Sequence, residues 1–64
     1  MITLISIFRV IQPETYITLF YNGHVVYAGY FRDCTTFVKN KYGKCGIFQM
    51  RALPDDHYMI YVVD

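Results

Sequence analysis

The side chains of this 64-residue chain with chemistry to offer are few: His24 and His57, Cys34 and Cys45, one serine, Ser6, and a lysine group around Tyr42. His57 follows Asp55 and Asp56. A carboxylate pair beside an imidazole could begin a metal site, but Asp-Asp directly after Pro54 is first of all a polar turn. Cys34 falls near the start of an expected helix, where the dipole would favour thiolate. A nucleophile also needs a base and a group that orients the base. His24 is the candidate base for Cys34, and Ser6 sits in an apolar segment. Lys39, Lys41 and Lys44 with Tyr42 could hold a phosphate backbone and stack a base. The same cations also suit the C-terminal end of a helix dipole without any ligand. Gly43 and Gly46 flank a turn and do not form a phosphate-cradling loop of the strand-to-helix kind. The reading is therefore of a chain that is not an enzyme, has no catalytic set, no metal and no cofactor, and disfavours nucleic acid as a partner.

Composition narrows the rest. The chain is 55% hydrophobic and 19% aromatic, with seven Tyr and five Phe, and carries a net charge of +1. That is too apolar for disorder and too balanced for a polyanion-binding protein. One domain, residues 1–64, is all this length allows, and a domain so small buries only about 60% of its unfolded surface. Some apolar surface is expected to stay open. The apolar run Ile2–Ile11 has no preceding basic residues and no small-residue cleavage site, and ten residues cannot cross a bilayer as a helix. A cytoplasmic protein with no membrane partner is the expectation. In that compartment the two cysteines are expected as free thiols, with a bridge only if the fold brings their backbones within reach.

The elements that would position these groups read in order. A polar residue at every third place (Thr3, Ser6, Arg9, Gln12) predicts a short helix over 3–11, capped by Thr3 and stopped before Pro13. "TYITLFY" and "HVVYAGYF" are strands joined at Asn22-Gly23, two residues that tolerate the positive φ of a type I′ turn. "RDCTTFVKNKYGK" predicts a second helix, with Asp33 as N-cap and Gly43 as the stop. "CGIFQMRAL" and "YMIYVVD" form a closing hairpin around "PDDH". The fold class expected is α+β: a four-stranded antiparallel sheet of two hairpins, with two short helices packed on one face.

A two-residue turn sets Tyr21 opposite His24, Phe20 opposite Val25, Leu19 opposite Val26, Thr18 opposite Tyr27 and Ile17 opposite Ala28. One face then carries Ile17, Leu19, Val26 and Ala28, the aliphatic side that helices would cover. The other carries Tyr16, Thr18, Phe20, Val25 and Tyr27, joined by Tyr61 from the last strand. Two short helices cannot cover both faces, and an open aromatic patch marks an interface. Tyr16, Thr18, Phe20, Val25, Tyr27 and Tyr61 are the expected protein-binding residues. Lys39, Lys41, Tyr42 and Lys44 are the alternative, a nucleic-acid site.

"YITLFYNGHVVYAGYFRDC", together with the closing "YMIYVVD", resembles small accessory proteins of phages and prophages of Gram-positive bacteria. Those run an N-terminal helix, an Asn/Asp-Gly hairpin, a short helix and a closing hairpin. The resemblance implies a protein made in the host cytoplasm that binds and inhibits a host protein, as a counter-defence (anti-CRISPR-like) factor. It carries over no inhibitory residue set. Many such inhibitors are strongly acidic, and this chain is not. A structural homodimer joined through the aromatic face is the other expectation.

Overall fold

A computed structural model describes all 64 residues, Met1–Asp64. Asn22 and Gly23 reverse the chain with φ of 50° and 86°, as a type I′ turn requires, and join β1 (Tyr16–Tyr21) to β2 (His24–Tyr30). A single 3-10 turn (Phe31–Asp33) and α2 (Thr36–Tyr42) lead to β3 (Gly46–Leu53) and β4 (His57–Val63), and α1 (Leu4–Phe8) precedes them all.

The sheet is mixed. Its strand order is β2-β1-β4-β3. Each hairpin is antiparallel, but β1 and β4 lie parallel at the centre, from Tyr16↔His57 to Tyr21↔Val62. This corrects the purely antiparallel expectation. The reason is the connection through residues 31–45, which carries the chain from one edge strand to the other. Parallel strands need such a crossover of a dozen or more residues, and here it holds α2. The joint sets the first strand of one hairpin beside the last strand of the other.

Five aliphatic side chains are fully buried: Leu4 from α1, Ile17 and Leu19 from β1, Ile60 and Val62 from β4. Phe8 and Cys45 complete this core, and Val38 and Tyr42 of α2 pack against it. Both helices thus cover the same side of the sheet. Each buried aliphatic contributes about 1.5–3 kcal/mol, which makes the central parallel pair the foundation of the molecule.

The helices are shorter than their sequence pattern. The helix expected over 3–11 is regular only from Leu4 to Phe8, consistent with its β-branched content. Thr3 stands at its N-cap but gives no side-chain cap, and its hydroxyl meets that of Ser6 at 3.0 Å. The open amides of α1 go instead to the turn after α2: Leu4 N–H donates to the Cys45 carbonyl (2.9 Å) and Ile5 N–H to that of Gly43 (3.0 Å). In α2 the N-cap is Thr35, whose Oγ1 accepts from Val38 N–H at 3.3 Å, and not Asp33, which belongs to the 3-10 turn. Gly43 closes α2 with φ of −59°, not in a left-handed conformation.

The β3–β4 loop holds Asp55 and Asp56 at φ of 65° and 55°. Left-handed backbone costs an ordinary residue roughly 1–2 kcal/mol, and glycine nothing. Asp55→Gly is expected to stabilise the protein by about 0.5–1 kcal/mol, a rise of a few degrees in melting temperature. A thermal melt showing a fall would mean that the Asp55 carboxylate makes contacts worth more than the backbone strain.

Candidate protein-binding face

The face of the sheet away from the helices is built by every second residue of β1 and β4. Tyr16, Thr18 and Phe20 stand beside His57, Met59 and Tyr61 in register. Their rings form two groups. At one end Phe20 and Tyr61 stack at 4.5 Å with planes 11° apart, and Phe48 tilts against Tyr61 at 6.0 Å. At the other end Tyr16 meets Tyr30 edge-on at 5.4 Å and His57 at 4.9 Å, while the Arg32 guanidinium lies 5.1 Å over the Tyr30 ring. Thr18 Oγ1 sits 3.0 Å from His57 Nε2 of this second group. Between them runs a row of smaller or flexible side chains, Ala28, Thr18, Met59 and Arg51, one from each strand.

Five of the six expected residues, Tyr16, Thr18, Phe20, Val25 and Tyr61, share this face. Tyr27 does not. The expected pairing holds at Tyr21↔His24 and Phe20↔Val25, then a bulge shifts the register, giving Leu19↔Tyr27, Thr18↔Ala28 and Ile17↔Gly29. One extra residue turns the following side chains over. Tyr27 moves to the helix side, where it packs against the core together with Val26, and Ala28 moves to the open face. The Tyr27 hydroxyl donates to the Tyr30 carbonyl at 2.6 Å. Gly29 lies beneath that ring, and a Cβ there would come within 2.9 Å of the phenol oxygen.

Strict alternation along β3 would set Phe48 on the side of Met50 and Ala52. A second bulge, between Ile47 and Gln49, places it with Tyr61 instead. With 57% of its surface exposed, against 56% for Val25 and 44% for Tyr30, Phe48 is the most prominent apolar group on this face. The rings of this face thus contact one another in pairs, three of them tyrosines that add hydroxyls to an apolar surface.

The alternative lysine group is arranged differently. Lys39 Nζ lies 4.8 Å over the Phe31 ring, and Lys41 Nζ lies 5.5 Å from Phe37 and 5.6 Å from Tyr42. Tyr42 packs against the core and meets the Tyr21 ring at 5.0 Å. Lys44 is exposed beyond the helix end.

Cys34 and Cys45 are buried and unpaired. Burial pushes the Cys34 thiol up, against a smaller downward pull from Lys39, the opposite of the lowering that a helix dipole would give. Burial, then the charge of Asp64, pushes Cys45 up as well. Two phenols move the same way: Tyr21, chiefly because its hydroxyl donates to Asp64 Oδ1 (2.5 Å), and Tyr27, chiefly by burial. Each raised group favours the fold while protonated. That stability is complete below the ordinary values, 9.0 for the thiols and 10.0 for the phenols, and is lost as pH rises through the higher folded values. The melting temperature is expected to stay level from about pH 7 to 8.5 and to fall above about pH 9. Thiol reagents should react slowly with the native protein and fast in urea. Rapid native reaction at pH 7 would show that the thiols are not shielded.

No group of three or more His, Cys, Asp or Glu gathers to hold a metal ion, and no helix is long and apolar enough to cross a membrane. No protein-family model matches the chain, and neither a curated protein nor a solved structure is significantly similar to it.

Proposed function

We propose that this chain is a small non-enzymatic protein that binds a host protein through the open sheet face and inhibits it. Its setting would be a phage or prophage accessory gene expressed in the host cytoplasm, with counter-defence (anti-CRISPR-like) action. The observation that carries the binding part is the aromatic face itself. Two ring groups, with Val25, Tyr30 and Phe48 at 56%, 44% and 57% exposure, leave an apolar surface that no element of the chain covers. Tyr and Phe at such a surface give large contact area at low entropy cost. The phage setting rests on the order of helix, Asn-Gly hairpin, helix and hairpin.

The test is capture from a bacterial lysate with tagged protein, followed by assay of the purified captured protein. Expected is a host protein retained by the wild type, released by Phe48→Glu, and inhibited in its own activity by the wild type. A captured protein whose activity is untouched would remove the inhibitor part. Self-association alone, read by light scattering, would assign the face to a second copy of the chain, the structural homodimer.

A further inference from the structure

On the helix side of the sheet, the far end of α1 does not close against the strands. Ile7, Val10 and Ile11 stand off Met50 and Tyr58, leaving a cleft of about 360 Å³, within the range of ligand sites. The polar part of its lining is Gln12, Thr15 and two exposed acidic residues, Glu14 and Asp56, and no lysine or arginine lines it. Tyr16 N–H donates to the Asp56 carbonyl at 3.0 Å, which ties the β3–β4 loop to the segment that carries Glu14, and both residues line the one cleft. Neither the core nor the aromatic face uses these carboxylates.

We propose that this cleft binds an organic cation on a short aliphatic stem, an alkylammonium or alkylguanidinium of the kind that ends a lysine or arginine side chain. The stem would cover the apolar wall of Ile7, Ile11 and Met50. The cation would meet Glu14 and Asp56 in charge-assisted hydrogen bonds, which are about twice as strong as neutral ones. An uncharged apolar ligand would strip water from two carboxylates without replacing it, and an anion would be repelled. The site lies on the opposite side of the sheet from the aromatic face, so it stands or falls independently of the inhibitor reading.

The probes are n-butylammonium and Nα-acetyl-lysine-N-methylamide, titrated into the whole chain, with n-butanol as the uncharged control and NMR shifts of the Met50 methyl and Tyr58 ring as readout. Saturable shifts with the amines, and none with the alcohol, are expected. Glu14→Gln/Asp56→Asn should weaken binding by about tenfold or more, and asparagine tolerates the φ of 55° at Asp56. Val10→Lys, on an exposed rim position, should fill the cleft from the chain itself and abolish binding. Response to both amines would admit a peptide-borne lysine, and response to n-butylammonium alone would restrict the site to free amines. Either supports the site. No saturation with either amine, equal shifts from the alcohol, or undiminished binding by the Gln/Asn variant would overturn it.

Discussion

Ile60→Ala is expected to leave much of the chain unfolded at 37 °C. Ile60 is fully buried on the central strand β4, between Leu19 of β1 and Met50 of β3. Truncating such a side chain costs about 2–5 kcal/mol, because the cavity collapses only in part. A domain of this size has about 3–10 kcal/mol in total. At roughly 4–8 °C per kcal/mol, the melting temperature should fall by about 10 °C or more. Circular dichroism melts of Ile60→Ala beside Val25→Ala, an exposed control expected to change by about 0.5 kcal/mol or less, measure it. A loss under about 1 kcal/mol at Ile60 would mean that the parallel joint is not the centre of the core.

The second large effect concerns binding. Phe48→Glu should keep the fold, because the side chain is more than half exposed and stands at a bulge. It should weaken capture of the partner by about thirtyfold or more, the 2 kcal/mol expected of an aromatic anchor at an interface centre. A charge there would also face the Phe20–Tyr61 stack. Phe37→Glu on α2, at a residue 68% exposed on the other side of the molecule, is the matched control and should bind as wild type. The reverse pattern would move the binding surface to α2.

Local chemistry made part of this structure readable from sequence. Asn22-Gly23 fixed a turn because few pairs tolerate positive φ at both positions, and the β-branched and aromatic runs became strands where expected. What escaped was produced by distant or single-residue events. The bulge at Val26, opposite the Leu19–Phe20 step, inverted Tyr27 and Ala28, and no turn residue announces it. The one available sign was Gly29, which makes room for the Tyr27 ring. The bulge at Phe48 likewise hid the most exposed ring of the candidate face. The parallel joint was implied by a helix-bearing crossover between hairpins, but alternation within a strand says nothing about which strand lies beside it. Asp33 and Thr35 both had the chemistry to cap α2, and only the 3-10 turn that takes up Asp33 decides between them.

The central joint has a consequence for how the chain is made. β1 is paired on one side as soon as Gly23 and β2 have been synthesised, yet its other neighbour, β4, follows about thirty residues later, counted from the end of β2, or about 1.5–6 s at ordinary translation rates. Throughout that interval Ile17 and Leu19 lack the strand that closes over their core, and one edge of the first hairpin is bare. A nascent chain in this state is open to pairing with other strands. Its yield in the cell should therefore depend on how quickly the ribosome covers the second half of the message.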